Sequence, residues 1–399
     1  MKHIYLDHAA TAPTDPRVVE AMRPYFTEVY ANPSSFHSFG LAAKRAVHDA
    51  RERIAAHLRC REDEILFTSG GTESDNLAVE GVIGAAKLPK AHIITSSIEH
   101  PAILEPLRRR EKEGTIDLTV LPADRYGLVL PEDVQKALRP ETVLVSVMYA
   151  NNEIGTIEPI ADIGRVILGW RTAQASAYPY FHTDACQAAG YLSMDVQKLH
   201  VDLLTMNGSK IYGPKGIGVL FGKRGVKLRP MILGGGQEKN LRSGTENVPG
   251  IVGLARALDL SQDMSSLESE RLAMLRDMLT EGLLRIPKSR LNGHPEKRLP
   301  NIVNISFLDI EGEAAILYMD AKGMCASTGS ACASQSLDPS HVILATGLSY
   351  EAAHGSIRFS LGRSTTKKDI QYVIKMMPGI VEKLRHMSPV NLDMKHFVK

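Results

Sequence analysis

The stretch "EILFTSGGTESDNLAVEGVIGAAK" (residues 64–87) changes its pattern in the middle. It begins as a short apolar run rich in β-forming residues, turns at Ser-Gly-Gly, and continues with the composition of a helix. A strand that ends in small residues and leads directly into a helix is the repeating unit of an α/β protein. The stretch therefore predicts a strand, a tight turn and a helix.

The same alternation recurs along the chain, at residues 91–100, 142–155, 178–190 and 201–222. This repetition predicts an α/β fold with a mostly parallel sheet, in which ligand sites lie beyond the carboxyl ends of the strands. The polar residues and glycines at or just past the predicted strand ends are Gly71, Thr72, His100, Asn151, Asp184 and Lys210. We therefore expect these residues to share one edge of the sheet.

The C-terminal third of the chain has a different organisation. Residues 255–285 have the pattern of a long amphipathic helix, and residues 301–308 and 356–377 predict a strand and a strand–turn–helix unit. This part of the chain predicts a smaller α+β domain.

Composition excludes several classes of protein. The 399 residues are 44% hydrophobic and 23% charged with a net charge of +2, which gives no electrostatic argument for a nucleic acid partner. The four cysteines are too few for a disulfide framework and favour a reducing, cytoplasmic setting. No run resembles a signal peptide or approaches the length of a membrane span, so we expect no membrane association.

The turn "TSGGTESDN" (68–76) has two interpretations. Gly71 and Thr72 at the start of a helix offer backbone N–H groups, a hydroxyl and the positive end of the helix dipole, which together suit a phosphate group. The alternative is an ordinary helix cap of the T-x-x-D type, which is the more frequent meaning of such a short motif.

A second glycine-rich stretch, "NGSKIYGPKGIG" (207–218), nearly matches a nucleotide-binding P-loop. Pro214 stands where the P-loop requires lysine, so this interpretation fails. What remains is Lys210, which follows an apolar run among turn residues. It is either a solvated surface lysine or a lysine that forms a Schiff base.

The stretch "HTDACQ" (182–187) places His182, Asp184 and Cys186 at alternate positions, on one face of a strand. Three such residues form a weak metal-binding pattern. Alternatively, Asp184 is the carboxylate that pairs with a cationic ring nitrogen, as enzymes that use pyridoxal phosphate (PLP) require. In that case His182 and Cys186 are packing residues.

Three more residues carry candidate chemistry. His100 precedes a proline at a strand-to-helix junction, where it is either a loop residue or a group that stacks on an aromatic cofactor and moves protons. Arg358 lies in a β-like run and is either a surface residue or a carboxylate ligand. Cys332 lies in "STGSACASQSLDPSH" (327–341), a loop-forming composition that is unusual for a structural cysteine.

These features occur in the order found in one family. The chain resembles cysteine desulfurases of the NifS/IscS-like group, in the class V aminotransferase branch of fold-type-I PLP enzymes. The stretches that carry the resemblance are "YLDHAATAP", "YANPSS", "FTSGGTESDN", "EHPAIL", "NNEIG", "HTDACQ", "KIYGPKGIG", "GGGQEKNLRSGTEN", "STGSACAS" and "SIRFSLGR". They span nearly the whole chain.

The resemblance implies an architecture and a set of residue roles. The large PLP-binding domain, with a mostly parallel seven-stranded sheet, comprises residues 14–260. Residues 1–13 and 261–399 form the small α+β domain with the catalytic cysteine loop.

The resemblance also implies the role of each site residue. Lys210 carries PLP, and Asp184 pairs with its ring nitrogen. Gln187 binds the ring oxygen of PLP, and His100 stacks on the ring. The phosphate is bound by Gly71, Thr72, Asn207 and Ser209, and Thr245 reaches it from the second subunit of a homodimer. The substrate carboxylate is oriented by Asn151 and Arg358. The nucleophile is Cys332.

One position departs from the family pattern. The residue before the lysine is usually histidine, whereas here the stretch reads "NGSK". Asn207 and Ser209 retain groups that donate hydrogen bonds to a phosphate.

The implied reaction converts L-cysteine to L-alanine and leaves its sulfur as a persulfide on Cys332. A sulfur-acceptor or cluster-scaffold protein, in iron–sulfur cluster assembly or another thiolation pathway, then receives the sulfur. The alternatives are a selenocysteine lyase, another PLP lyase on the same scaffold, or a sulfur-relay scaffold without PLP chemistry. Cys325 is expected to be a packing residue, and no metal site is expected.

Overall fold

The computed structural model describes residues 3–329 and 338–397. Strands and helices alternate through the first two thirds of the chain, as the sequence predicts. The strands are β1 (Ile4–Tyr5), β2 (Ile65–Thr68), β3 (Ala91–Ser96), β4 (Ile116–Leu121), β5 (Thr142–Ser146), β6 (Tyr180–Asp184), β7 (Leu203–Asn207), β8 (Gly218–Gly222), β9 (Ser289–Asn292), β10 (Ile302–Phe307), β11 (Met324–Cys325) and β12 (Ser356–Ser360).

Proline or a capping side chain begins many of the helices, because both suit the unpaired N–H groups of the first turn. The α-helices are α1 (Pro16–Met22), α2 (Pro24–Thr27), α3 (Ser38–Leu58), α4 (Gly71–Ala85), α5 (Pro101–Lys112), α6 (Pro131–Ala137), α7 (Ile160–Gln174), α8 (Val196–Leu199), α9 (Val248–Leu283), α10 (Gly312–Asp320), α11 (His341–Ala345), α12 (Tyr350–His354) and α13 (Lys367–Met387).

The main sheet has seven strands in the order β2-β8-β7-β6-β5-β3-β4. Strand β8 runs antiparallel to both of its neighbours, and the other pairs are parallel. Every residue of β2, β3, β5 and β6 is buried, since helices cover both faces of the sheet. The predicted α/β class and the mostly parallel seven-stranded sheet are confirmed.

A smaller part of the structure contains an antiparallel sheet, β12-β10-β9, and the short parallel pair of β1 and β11. Helix α9 joins the two parts. Its first half, with Leu254 and Leu258, belongs to the core of the main sheet, and its second half, with Leu272 and Leu279, belongs to the core of the smaller part. The predicted domain boundary between residues 260 and 261 falls inside this continuous helix and stays a prediction.

Within the described ranges, no helix is both long and apolar enough to cross a membrane.

Candidate active site

A cavity of about 180 Å³ lies at the carboxyl ends of the parallel strands. This is the edge of the sheet at which α/β proteins bind ligands. Most of the predicted site residues line it: Gly71, Thr72, His100, Asp184, Gln187, Asn207, Lys210 and Arg358. Cys332 lies outside the described residues.

The N-terminus of α4 forms one side of the cavity. Gly70 is the N-cap residue, and no side chain of the described residues caps this helix, so the capping interpretation of T-x-x-D is wrong. A Cβ atom on Gly71 would lie 2.8 Å from Cys186 Sγ and 3.0 Å from Asn207 Nδ2. Glycine is therefore required by this close approach, and the uncapped N–H groups suit an anion.

Lys210 enters the cavity from the end of β7, through a single 3-10 turn at Gly208–Lys210. Its Nζ donates a hydrogen bond to the backbone oxygen of Ala10. The segment that contains Ala10 is held in place because Gln187 Nε2 donates to the oxygen of Ala9 at 2.9 Å. An N-terminal segment that is distant in sequence thus closes the cavity over the lysine.

Asp184 is the last residue of β6 and is buried on the cavity wall. Its Oδ1 accepts a hydrogen bond of 2.9 Å from the backbone N–H of Cys186. Burial, reinforced by Asp184, raises the pKa of the Cys186 thiol well above its ordinary value, so this thiol stays protonated and is a poor nucleophile.

His182 does not join Asp184 and Cys186 in a metal site. Its Nδ1 lies 2.9 Å from Ser146 Oγ and its Nε2 lies 3.1 Å from Thr205 Oγ1, so both ring nitrogens have hydroxyl partners. Burial lowers the pKa of His182 to about 4, which leaves the ring neutral at physiological pH.

His100 is the N-cap residue of α5, and its Nδ1 accepts a 3.1 Å hydrogen bond from the N–H of Ala102. Because Nδ1 is an acceptor, the neutral ring carries its proton on Nε2. The strand–proline–helix junction that the sequence predicts thus fixes the tautomer of a histidine on the cavity wall.

Arg358 is central in β12 and only 1% exposed. Its Nη2 donates to Asp7 Oδ1 and its Nη1 to the backbone oxygen of Asn152, each at 2.9 Å. Its Nε has no hydrogen-bond partner among the described residues. A buried guanidinium with an unused donor at the cavity is suited to bind a carboxylate.

Three predicted site residues do not line the cavity. Asn151 is buried beneath it, where its Nδ2 donates to the oxygen of Ile98 and its Oδ1 accepts from the N–H groups of Glu153 and Ile154. Ser209 Oγ donates to Asn207 Oδ1 at 3.2 Å. Thr245 is exposed on the surface.

Several cavity residues were not predicted from the sequence: Ala9, Ala10, Asp75, Met148, Ala150 and Asn152. Asp75 stands three residues after Thr72 on the same helix, and this spacing could have indicated that both face the cavity. Asn152 contacts Arg358 through its backbone oxygen, which no side-chain pattern reveals.

The residues present fit PLP. Uncapped N–H groups suit its phosphate, a buried carboxyl group suits its ring nitrogen, and a lysine amine and an arginine with an unused donor share the same cavity. Fold and site together define a fold-type-I PLP-dependent enzyme.

The chain belongs to the aminotransferase class-V family, whose sequence model matches residues 4–373. It is 50% identical to the protein named cysteine desulfurase IscS of Methanosarcina thermophila over 98% of this chain and 94% of the relative. It is 47% identical to cysteine desulfurase IscS 1 of Archaeoglobus fulgidus over 97% of this chain and 99% of the relative.

Solved structures agree with these relatives. A NifS-like protein superimposes with a TM-score of 0.88 at 35% identity, covering 96% of this chain and all of the other. A structure described as SspA in complex with cysteine superimposes with a TM-score of 0.78 at 36% identity, covering 90% of this chain and 98% of the other.

Proposed function

We propose that this protein is a PLP-dependent cysteine desulfurase that converts L-cysteine to L-alanine and retains the sulfur as a persulfide on Cys332. The observation that carries the proposal is one cavity that contains Lys210, Asp184 and the uncapped start of α4. The identity of about 50% to relatives named cysteine desulfurase supports the choice of reaction.

Each part of the cofactor has a partner in the cavity. The N-terminus of α4 with Asn207 suits the phosphate, Asp184 suits the ring nitrogen, and Lys210 supplies the amine that holds the cofactor covalently. Gln187 and His100 are suited to the ring oxygen and the ring face. When bound, PLP acts as an electron sink that weakens the bonds around the α-carbon of an amino acid.

Arg358 is suited to hold the carboxylate of L-cysteine. Its unused Nε provides one donor, and its Nη2 becomes the second if the substrate carboxylate displaces Asp7. A bidentate contact of this kind fixes the orientation of the amino acid as well as its position. We assign Asn151 an indirect part, since its side chain holds the turn at residues 151–154 beneath the cavity.

The sulfur step balances without an added oxidant. The C–S bond of L-cysteine breaks as an S–S bond to Cys332 forms, and the electron pair of the C–S bond stays on carbon. That carbon takes up a proton and becomes the methyl group of L-alanine, while the thiol of Cys332 gives up its proton. The thiolate is the reactive form of the nucleophile.

The protein is proposed to act as a homodimer. Two segments expose large apolar side chains. One contains Phe36, whose side chain is 95% exposed, and the other contains Leu233, which is 79% exposed. The two segments adjoin, because residues of 33–34 and 235–237 line one surface groove. An exposed apolar area of this kind is typical of a subunit interface, and Thr245 lies in the same region of the sequence, on the surface.

A sulfur-acceptor protein is the proposed partner of the persulfide, in iron–sulfur cluster assembly or another thiolation pathway. A cytoplasmic location is proposed because Cys60, Cys186 and Cys325 are free thiols, which a reducing compartment maintains.

Two cysteine variants test the function. After incubation with L-cysteine, Cys332→Ser is expected to release no alanine and to carry no added sulfur, while it still binds PLP. Cys325→Ser is the matched control and is expected to retain both activities, because burial and Asp320 raise the pKa of the Cys325 thiol. Mass spectrometry locates the added sulfur. A persulfide on Cys325 in the Cys332→Ser protein, with alanine still released, would show that Cys325 is the nucleophile and that the assignment of Cys332 is wrong.

A further inference from the structure

Asp75 is a buried carboxyl group that the proposed mechanism does not use. It lies one turn into α4, is 1% exposed, and lines the cavity together with Asp184. The Thr205 hydroxyl is close enough to its carboxyl group to lower the pKa of Asp75, against the larger effect of burial. Its Oδ1 has no hydrogen-bond partner among the described residues, although His182 Nε2 lies 3.7 Å away. Buried polar atoms without partners are rare, so this oxygen requires an explanation.

A chain of hydrogen bonds leads to Asp75 across three neighbouring strands. Ser146 on β5 lies 2.9 Å from His182 Nδ1 on β6, and His182 Nε2 lies 3.1 Å from the Thr205 hydroxyl on β7. Each of these side chains is fully buried. If Ser146 donates to the neutral histidine, the histidine donates to Thr205 and the Thr205 hydroxyl proton points to Asp75. The donors of Ser146, His182 and Thr205 are then all used, and the chain ends on an acceptor oxygen of the Asp75 carboxyl group.

Asp75 and Asp184 share a space that favours one negative charge over two. Burial and the nearby charge of Asp184 raise the pKa of Asp75 well above its ordinary value. His182 does not neutralise Asp75, because burial keeps the imidazole ring uncharged. Among the described residues, no lysine or arginine forms an ion pair with Asp75.

We propose that Asp75 is a positioning residue of the cofactor site, a neutral carboxylic acid next to the Thr205 hydroxyl in the cavity that Asp184 also lines, so that Asp184 alone carries the negative charge. The inference rests on the proposed function, since the group that this charge faces is the ring nitrogen of PLP. Asp75 acts through Asp184 and through the wall that α4 forms, and it takes no part in the sulfur step.

Two measurements test the proposal, and the first needs no cofactor. Infrared difference spectra of the apoprotein compare wild type with Asp75→Asn, which has the size of the neutral acid. Replacement is expected to remove the carbonyl band of a protonated carboxyl group at neutral pH. Loss of carboxylate bands instead would overturn the proposal.

The second measurement follows the ring nitrogen with ¹⁵N-labelled PLP in the holoenzyme. Asp75→Asn is expected to keep the wild-type chemical shift and PLP affinity. Asp75→Ala removes the acceptor that Asp75 offers to the Thr205 hydroxyl proton, and is expected to move the ¹⁵N chemical shift and to weaken PLP binding about tenfold. Thr205→Val keeps the side-chain volume, and it is expected to change the chemical shift and the PLP affinity in the same directions as Asp75→Ala.

A wild-type shift and affinity in both Asp75→Ala and Thr205→Val would overturn the positioning role. A shift in Asp75→Asn as large as that in Asp184→Asn would show that Asp75 carries the charge, which also overturns it. Wild-type protein that forms no Schiff base with PLP would instead overturn the proposed function, so the two failures are distinguishable.

Discussion

Lys210 has a close structural counterpart five residues further along the chain. Both Lys210 and Lys215 donate from Nζ to backbone oxygens of the N-terminal segment, at Ala10 and Ala12 respectively. Only Lys210 lines the cavity. Variants of these two lysines therefore distinguish the chemical role of Lys210 in the cavity from its contact with the N-terminal segment.

Lys210→Ala is expected to abolish turnover and the visible absorption of the Schiff base, because no other lysine of the described residues lines the cavity. Lys215→Ala, the control, removes a similar backbone contact and is expected to keep both. Alanine release and absorption spectra check the two variants, and borohydride reduction of the wild-type holoenzyme is expected to label Lys210. Turnover of Lys210→Ala within about tenfold of wild type, a barrier change of only ~1.4 kcal/mol, would contradict the assignment.

The buried carboxyl group of Glu99 is expected to make the free energy of unfolding depend on pH. Burial raises the pKa of this carboxyl group from 4.5 to about 8. Between these values the folded protein holds a proton that the unfolded chain has lost. The free energy of unfolding therefore falls as pH rises through this window, by at most about 1.4 kcal/mol per pH unit from this group.

Glu99→Gln is expected to reduce this fall in stability, because glutamine does not titrate. Urea unfolding at several pH values between 4.5 and 8 measures the difference from wild type. Glu105→Gln, on the exposed side of α5, is the control and is expected to follow the wild-type profile. Parallel profiles for Glu99→Gln and wild type would contradict the prediction.

Sequence patterns predict which side chains at strand ends line the cavity. Lys210 and Asp184 each follow an apolar run, and parallel pairing brings those ends together. Asp7 and Asn152, which hold Arg358, were not predicted, because they come from distant segments and Asn152 uses only its backbone oxygen. The hydroxyl partners of His182 likewise depend on strand order and register, which the sequence pattern does not specify.

At the scale of elements, the junction of β2 and α4 depends on how closely other groups approach its glycines. Gly71→Ala would bring a methyl group to 2.8 Å from Cys186 Sγ and 3.0 Å from Asn207 Nδ2. Both neighbours belong to the cavity, so their displacement is expected to weaken PLP binding about tenfold while the protein stays folded. Titration of the apoprotein with PLP measures this loss.

Gly169→Ala is the matched control, since Gly169 is also helical, in α7, and its added methyl group would meet no other group within 4 Å in the part of the chain that the structure describes. It is expected to leave PLP affinity unchanged and to stabilise the helix by up to about 1 kcal/mol. Equal PLP affinity in Gly71→Ala and wild type would show that the start of α4 does not hold the phosphate.

Buried strands were easier to predict than exposed ones. Apart from His92, strands β3 and β5 are runs of apolar or small residues, because both faces of the sheet are covered. Strand β4 was not assigned, because it lies at the edge of the sheet and alternates polar and apolar residues, with Asp117 and Thr119 partly exposed. Helix α9 was predicted as 255–285, and its start at Val248 was missed because Pro249 suits the first turn of a helix as well as a loop.

At the scale of the whole molecule, the proposed homodimer would cover the exposed apolar segments that contain Phe36 and Leu233. Leu233→Glu places a charge at the proposed interface and is expected to shift the protein from dimer to monomer in sedimentation experiments at micromolar concentration. Leu267→Glu changes a similarly exposed leucine on α9, outside these segments, and is the control expected to stay dimeric. A dimer that persists in Leu233→Glu, or a wild-type monomer with full activity, would contradict the proposed assembly.

Subunit complementation tests whether Thr245 serves the active site of the other subunit. If Thr245 lies near the phosphate of the other subunit, Thr245→Asp adds a repelling negative charge there and is expected to reduce activity, as Lys210→Ala does in its own homodimer. In a mixed dimer, a contribution across the interface leaves one site with both changes and the other site intact. Equal mixing is then expected to recover about a quarter of the wild-type activity, because half of the dimers are mixed and each has one intact site. If Thr245 acts on its own subunit, every site in the mixed dimer carries one change. Mixing would then recover no activity beyond the sum of the two variants, and the shared-site arrangement would be wrong.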